Sequence, residues 1–201
     1  IKTGLDGIQN FVVGASMVAG IYCSIRLLSK TSTIPTNVQW FGPLPEEAQQ
    51  IFAFTQNLKL FEQAGITQSS SILFEGPPGT GKSHLARYIA SVLCVPYFEK
   101  NSGDFHNHYI GTGPKTMREL FEKARNAAFN TNTAGIGAIV FIDEIEGIGS
   151  KRSTLSGSCA TEEIRLLNAL LAELTNPKNK HVLVICATNL ASMLDEALVR
   201  P

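Results

Sequence analysis

Eight residues, Gly76-Pro77-Pro78-Gly79-Thr80-Gly81-Lys82-Ser83, follow the spacing GxxxxGK[ST], a pattern built to cradle phosphate groups. Glycines at 76, 79 and 81 let the backbone curl so that successive N–H groups point inward at an anion. The apolar run Ser71–Phe74 delivers this loop and the helix-like stretch from His84 to Ala90 receives it, which adds the partial positive charge of a helix N-terminus. Lys82 reaches the outer phosphates, and the Ser83 hydroxyl suits the magnesium ion that accompanies them. Nucleotide contacts are therefore expected at Gly76, Pro77, Pro78, Gly79, Thr80, Gly81, Lys82, Ser83 and His84.

A second constellation lies about sixty residues on, where the apolar run Ala138–Ile142 ends in Asp143-Glu144. Carboxylates at the end of a buried strand are costly unless they meet a cation or a reacting group. Asp143 is placed to share the magnesium ion with Ser83, and Glu144, one residue further, to polarise an attacking water. A third polar residue, Asn189, follows another apolar run, Val182–Ala187, from which it can reach a terminal phosphate or the attacking water. Catalytic roles are thus expected for Lys82, Glu144 and Asn189, and metal ligation for Ser83 and Asp143.

These residues need a scaffold that brings strand ends together. Strand-like runs at 71–74, 95–99, 138–142 and 182–187 alternate with helix-like stretches at 46–65, 84–93, 114–129 and 161–174. Met117, Leu120, Phe121, Ala124 and Ala128 recur at helical spacing behind Pro114, a residue that helix starts accept. The alternation predicts an α/β fold, a parallel sheet sandwiched by helices, with ligands bound beyond the carboxyl ends of the strands. A polar Gly/Ser loop is expected from Gly147 to Ser158.

Composition narrows the function classes. Seventeen basic residues balance seventeen acidic ones, so the chain carries no electrostatic footprint for nucleic acid. A hydrophobic content of 44% excludes disorder. Cys23, Cys94, Cys159 and Cys186 are far apart, without CxxC spacing, and read as free thiols in a reducing compartment. The four histidines form no metal-ligand spacing. Residues 7–25 hold no charged side chain, long enough for a bilayer-spanning helix, and Arg26 and Lys30 place the following domain on the cytosolic side. The expected organisation is a transmembrane or hydrophobic helix at 1–28, a polar linker at 29–37 and one nucleotide-binding domain at 38–201, truncated at its C-terminus.

Taken together, GPPGTGKS, IVFIDEIEGIG and ATNLASMLDEALVRP resemble the AAA+ ATPases, specifically the membrane-anchored FtsH branch, over about residues 37–201. The resemblance implies the large subdomain of an AAA+ module, ATP with Mg2+, a homohexamer, and polypeptide substrates that are unfolded or translocated. Localisation would be at a membrane, with the ATPase domain on the cytosolic or organelle matrix or stromal side. It also implies that Tyr109, Ile110 and Gly111 belong to a first pore loop gripping the substrate, and that 148–159 is a second. Arginine fingers, a helical lid and a zinc protease domain would follow Pro201, and Arg200 is not itself a finger. Two departures stand out: Val38–Pro43 replaces the Val-Ala-Gly turn that lines the family's adenine pocket, and Leu174-Thr175-Asn176 replaces Met-Asp-Gly. A nucleotide-dependent remodelling switch without proteolysis and a small-molecule kinase are the rival readings.

Overall fold

The computed structural model describes residues 34–56, 71–106, 112–131, 135–149 and 158–199. Four parallel strands make one sheet: β1 (Ser71–Glu75), β2 (Tyr97–Asn101), β3 (Ala138–Asp143) and β4 (Val182–Thr188), in the order β1-β4-β3-β2. The helices are α1 (Glu46–Gln56), α2 (Lys82–Leu93), α3 (Thr112–Thr131), the single turn α4 (Glu146–Gly149), α5 (Ser158–Leu174) and the short α6 (Glu196–Val199). This agrees with the α/β expectation. The expected N-terminal hydrophobic helix lies outside the described residues, and among these no helix is long and apolar enough to cross a membrane.

Side chains alternate across a strand, and the two inner strands use both sets. Ala138, Val140, Ile142, Val182, Val184 and Cys186 pack under α3 and α5 on one face. Ile139, Phe141, Leu183, Ile185 and Ala187 pack under α1 and α2 on the other. Burial on both faces is why β3 and β4 read as unbroken apolar runs rather than alternating ones. The helical stripe of α3 is buried at every expected position, Met117, Leu120, Phe121, Ala124 and Ala128.

Two expectations needed correction. The second strand begins at Tyr97 and ends at Asn101, two residues later than the apolar run suggested. The reason lies in how α2 ends. Cys94 and Val95 use their N–H groups to close α2, on the carbonyls of Ser91 and Ala90, and Pro96 has no N–H to give. The first bond to β3 is the Ile139 N–H on the Pro96 carbonyl at 2.8 Å, so Tyr97 pairs with Ile139 and the register then sets Asn101 beside Asp143. The loop expected from Gly147 instead starts as helix α4. Ile145 and Ile148 are buried, and the Gly149 carbonyl accepts the N–H of Asp195 at 2.7 Å, holding the turn against the chain that follows β4.

Between α3 and α5, Arg125 of α3 donates to Glu173 of α5 at 2.8 Å and to Asn179 at 2.9 Å. Asn179, itself buried, donates back to the Glu173 carboxylate at 3.0 Å. Cys94 and Cys186 are buried, and burial pushes the Cys186 thiol up to about 12. It should stay unmodified by a thiol reagent at pH 8 until urea unfolds the protein; labelling in the native state would contradict this. Replacing Glu173 with Leu leaves a largely buried guanidinium without its anion, at a cost of about 3 kcal/mol. In urea unfolding Glu173→Leu should lose that amount, and adding Arg125→Met should recover most of it.

Candidate active site

The strand register brings the site together. Asn101 pairs with Asp143 across β2 and β3, and Glu75 pairs with Thr188 across β1 and β4. The carboxyl ends of four strands therefore lie along one edge, where open α/β sheets bind ligands. The N–H of Gly76 donates to the Thr188 carbonyl at 3.2 Å, so the loop after β1 leaves the sheet tied to β4.

The loop then turns through two left-handed glycines, Gly79 with φ 81° and Gly81 with φ 87°. Gly76, the third glycine of the motif, does not adopt a positive φ. Thr80 braces the curl by donating its hydroxyl to the Pro77 carbonyl at 2.9 Å. Helix α2 begins at Lys82 with no side-chain cap on its first turn, so its terminal N–H groups keep their capacity for an anion.

Lys82 folds back over the loop. Its ammonium donates to the carbonyls of Gly76 at 2.7 Å and Pro77 at 3.0 Å and to Oδ1 of Asn189 at 2.8 Å. All three ammonium protons are thereby used on neutral acceptors. Ser83 Oγ donates to Asp143 Oδ2 at 2.9 Å, bridging the start of α2 and the end of β3. The other Asp143 oxygen accepts the N–H of Glu144 at 3.0 Å.

Glu144 sits at φ 53°, one of three non-glycine residues with positive φ among those described. An L-residue in this region carries strain of roughly 1–2 kcal/mol, and such strain persists only where neighbours enforce it. The neighbours here are the Asp143 carboxylate, the Ala187 carbonyl, which accepts the N–H of Ile145 at 2.9 Å, and Asn101. Asn101 Nδ2 donates to Glu144 Oε2 at 3.0 Å. Its own Oδ1 accepts the N–H of Gly103 at 2.9 Å, and its N–H donates to Asp104 Oδ2 at 3.1 Å.

The structure thus gathers Lys82, Ser83, Asp143, Glu144 and Asn189 at one end of the sheet, as their order in the chain suggested. His84 is directed elsewhere: its Nε2 lies 2.8 Å from the Gln39 carbonyl and its ring stacks on Trp40. Tyr109, Ile110 and Gly111 lie outside the described residues. Asn101 was missed, because Lys100-Asn101-Ser102 looks like an ordinary turn when the strand is ended at Glu99. The signal that could have found it is Pro96, which delays the strand by two residues.

Chemically, the arrangement offers a backbone cradle with one cation for phosphate, two adjacent hard oxygen donors for a divalent metal, and an oriented carboxylate for a proton. Residues 72–200 match the family model described as "ATPase family associated with various cellular activities (AAA)". The chain is similar to the ATP-dependent zinc metalloprotease FtsH 2 of Methylacidiphilum infernorum (isolate V4), 38% identical over 179 residues, which is 88% of this chain and 27% of the relative. The ATP-dependent zinc metalloprotease FtsH of Cyanidium caldarium is 36% identical over 174 residues, covering 86% and 27%. That of Streptococcus pneumoniae serotype 4 (strain ATCC BAA-334 / TIGR4) is 38% identical over 157 residues, covering 78% and 23%. The chain spans about a quarter of the length of these curated relatives.

The loop conformation itself is testable. A Cβ at Gly81 meets nothing within 4 Å, so Gly81→Ala tests the positive φ alone. It should cost about 1 kcal/mol in urea unfolding, whereas Gly76→Ala should cost less; the reverse order would contradict the described loop.

Proposed function

The chain belongs to the AAA family of ATPases, and from that premise we propose that it is the ATP-hydrolysing module of an FtsH-like membrane protease, with residues 38–201 as the large ATPase subdomain. The observation that carries the residue assignments is the convergence of Lys82, the Ser83–Asp143 pair, Glu144 and Asn189 at one sheet edge.

In this reading the amides of the loop from Gly76 to Ser83 and the N-terminus of α2 hold the triphosphate. Lys82 exchanges its neutral carbonyl acceptors for phosphate oxygens, and charge-assisted hydrogen bonds of that kind are the stronger ones. Ser83 Oγ and the Asp143 carboxylate are hard oxygen donors held 2.9 Å apart, the donor type magnesium takes, and they would hold the ion. Bound there, it supplies charge neutralisation of the phosphates.

Glu144 accepts the proton of the attacking water. Asn101 holds that carboxylate in the meantime and sets its direction. Asn189 presents its amide nitrogen to the terminal phosphate or the water, because its Oδ1 already accepts from Lys82. His84 acts from outside the phosphate cradle, by fastening the segment around Gln39 and Trp40 to α2.

The rest of the proposal rests on the FtsH likeness. The chain would assemble as a homohexamer, in which an arginine from a neighbouring subunit stabilises transition-state charge. Such residues are worth roughly 10³ to 10⁵ in rate, so this chain alone should bind ATP better than it turns it over. Tyr109, Ile110 and Gly111 would contact a polypeptide substrate in the central pore, and of the second pore segment expected at 148–159 only the part after the buried end of α4 would face it. Residues 7–25 would anchor the protein in a membrane, with the ATPase on its cytosolic, matrix or stromal side and residues 29–37 as the linker.

Lys82→Ala should abolish ATP binding, while Glu144→Gln should keep binding and lower turnover of the full-length protein by about 100-fold or more. Normal hydrolysis by Glu144→Gln would remove that residue from its role. Tyr109→Ala should retain ATP hydrolysis and lose polypeptide translocation; unchanged translocation would favour a nucleotide-dependent remodelling switch.

A further inference from the structure

Glu144 is held by more than its own side chain. The Gly147 N–H donates to its carbonyl at 3.0 Å, and Ile145 is tied to β4 through the Ala187 carbonyl. The turn 144–147 is therefore closed on itself and fastened to β4 on one side. On the other side it meets the segment that follows β2. Asn101 reaches the Glu144 carboxylate at 3.0 Å, and His106 Nε2 lies 3.0 Å from the Gly147 carbonyl. A carbonyl can only accept, so His106 carries a proton on Nε2. Between these two contacts Ser102 packs on Gly147 so closely that a Cβ there would come within 2.5 Å of Ser102 Oγ and 2.9 Å of its Cβ.

The segment bearing these contacts is itself stiff. Residues Ser102–Phe105 form a 3-10 turn closed by reciprocal capping between Asn101 and Asp104. The His106 N–H donates to the Gly103 carbonyl at 3.1 Å, and Phe105 is buried. A rigid piece thus grips the turn at two points, at the Glu144 side chain and at the backbone three residues on.

We propose that His106, with Gly147, is a positioning residue for hydrolysis. The His106–Gly147 hydrogen bond and the Ser102–Gly147 contact fix the height of the strained turn, and so the place where the Glu144 carboxylate meets its water. Misplacement of a catalytic group by about 1 Å can cost on the order of 10²-fold in rate. Loss of one hydrogen bond that keeps the turn in place is smaller, on the order of a few-fold. The inference rests on Glu144 being the base.

The test is steady-state ATP hydrolysis and ATP binding by the full-length protein, with thermal midpoints as a control on folding. His106→Ala should lower kcat about three- to tenfold with KM and Kd for ATP unchanged, and His106→Gln, which keeps an N–H donor, should recover most of the loss. Gly147→Ala should lower kcat as well, and Ser102→Gly added to it should restore the rate by removing both atoms the new methyl group meets. Unchanged kcat in His106→Ala, or equal failure of His106→Gln, overturns the proposal while leaving Glu144 in place. Normal turnover by Glu144→Gln overturns both.

Discussion

Strand β3 is the constraint on which the rest depends. It is hydrogen bonded to β2 on one side and β4 on the other, and apolar groups cover both its faces. A charged residue inside such a strand would be uncompensated, so its first carboxylate comes at the end, where the helix layers stop. Asp143 is that residue, and Ser83 meets it across the sheet edge at 2.9 Å. Because β3 is fixed on both sides, this one hydrogen bond registers the phosphate loop and its helix against the carboxylates.

Anchored on β3, the groups around the reacting position lose freedom by degrees. Lys82 and Asn189 are linked by a hydrogen bond of 2.8 Å between a helix start and a strand end 107 residues apart. The residue after Asp143 is strained into a left-handed conformation and secured by β4 and by the segment after β2. Preorganisation of this kind limits how far a site must rearrange when its ligand arrives. Away from the site, the Arg125–Glu173–Asn179 group ties α3 to α5.

Much of this was legible in the chain because the signals are local. A glycine spacing with lysine and serine fixes a loop by its own sterics, and Ala138–Ile142 and Val182–Ala187 are too apolar to be anything but inner strands of a covered sheet. The β2 boundary was not legible from apolar content, since the N–H of Val95 closes the end of α2 and the first bond to β3 falls on the carbonyl of Pro96. That two-residue shift hid Asn101, whose role exists only in the pairing with β3. Helix α4 was likewise hidden, because Gly147 and Gly149 read as loop; they are small there because Ser102 and Leu198 press against them. The positive φ of Glu144 has no signature in residue type at all.

The proposed mechanism stands on one Mg-ATP held between the loop after β1 and the end of β3. The most direct measurement is a structure of the full-length protein with Mg2+ and a non-hydrolysable ATP analogue. The triphosphate should lie along the amides of residues 76–83, with Lys82 transferred from the Gly76 and Pro77 carbonyls to phosphate oxygen and Ser83 and Asp143 at the metal. A triphosphate seated elsewhere, or a metal held by other residues while the Ser83–Asp143 hydrogen bond stays closed, would contradict it.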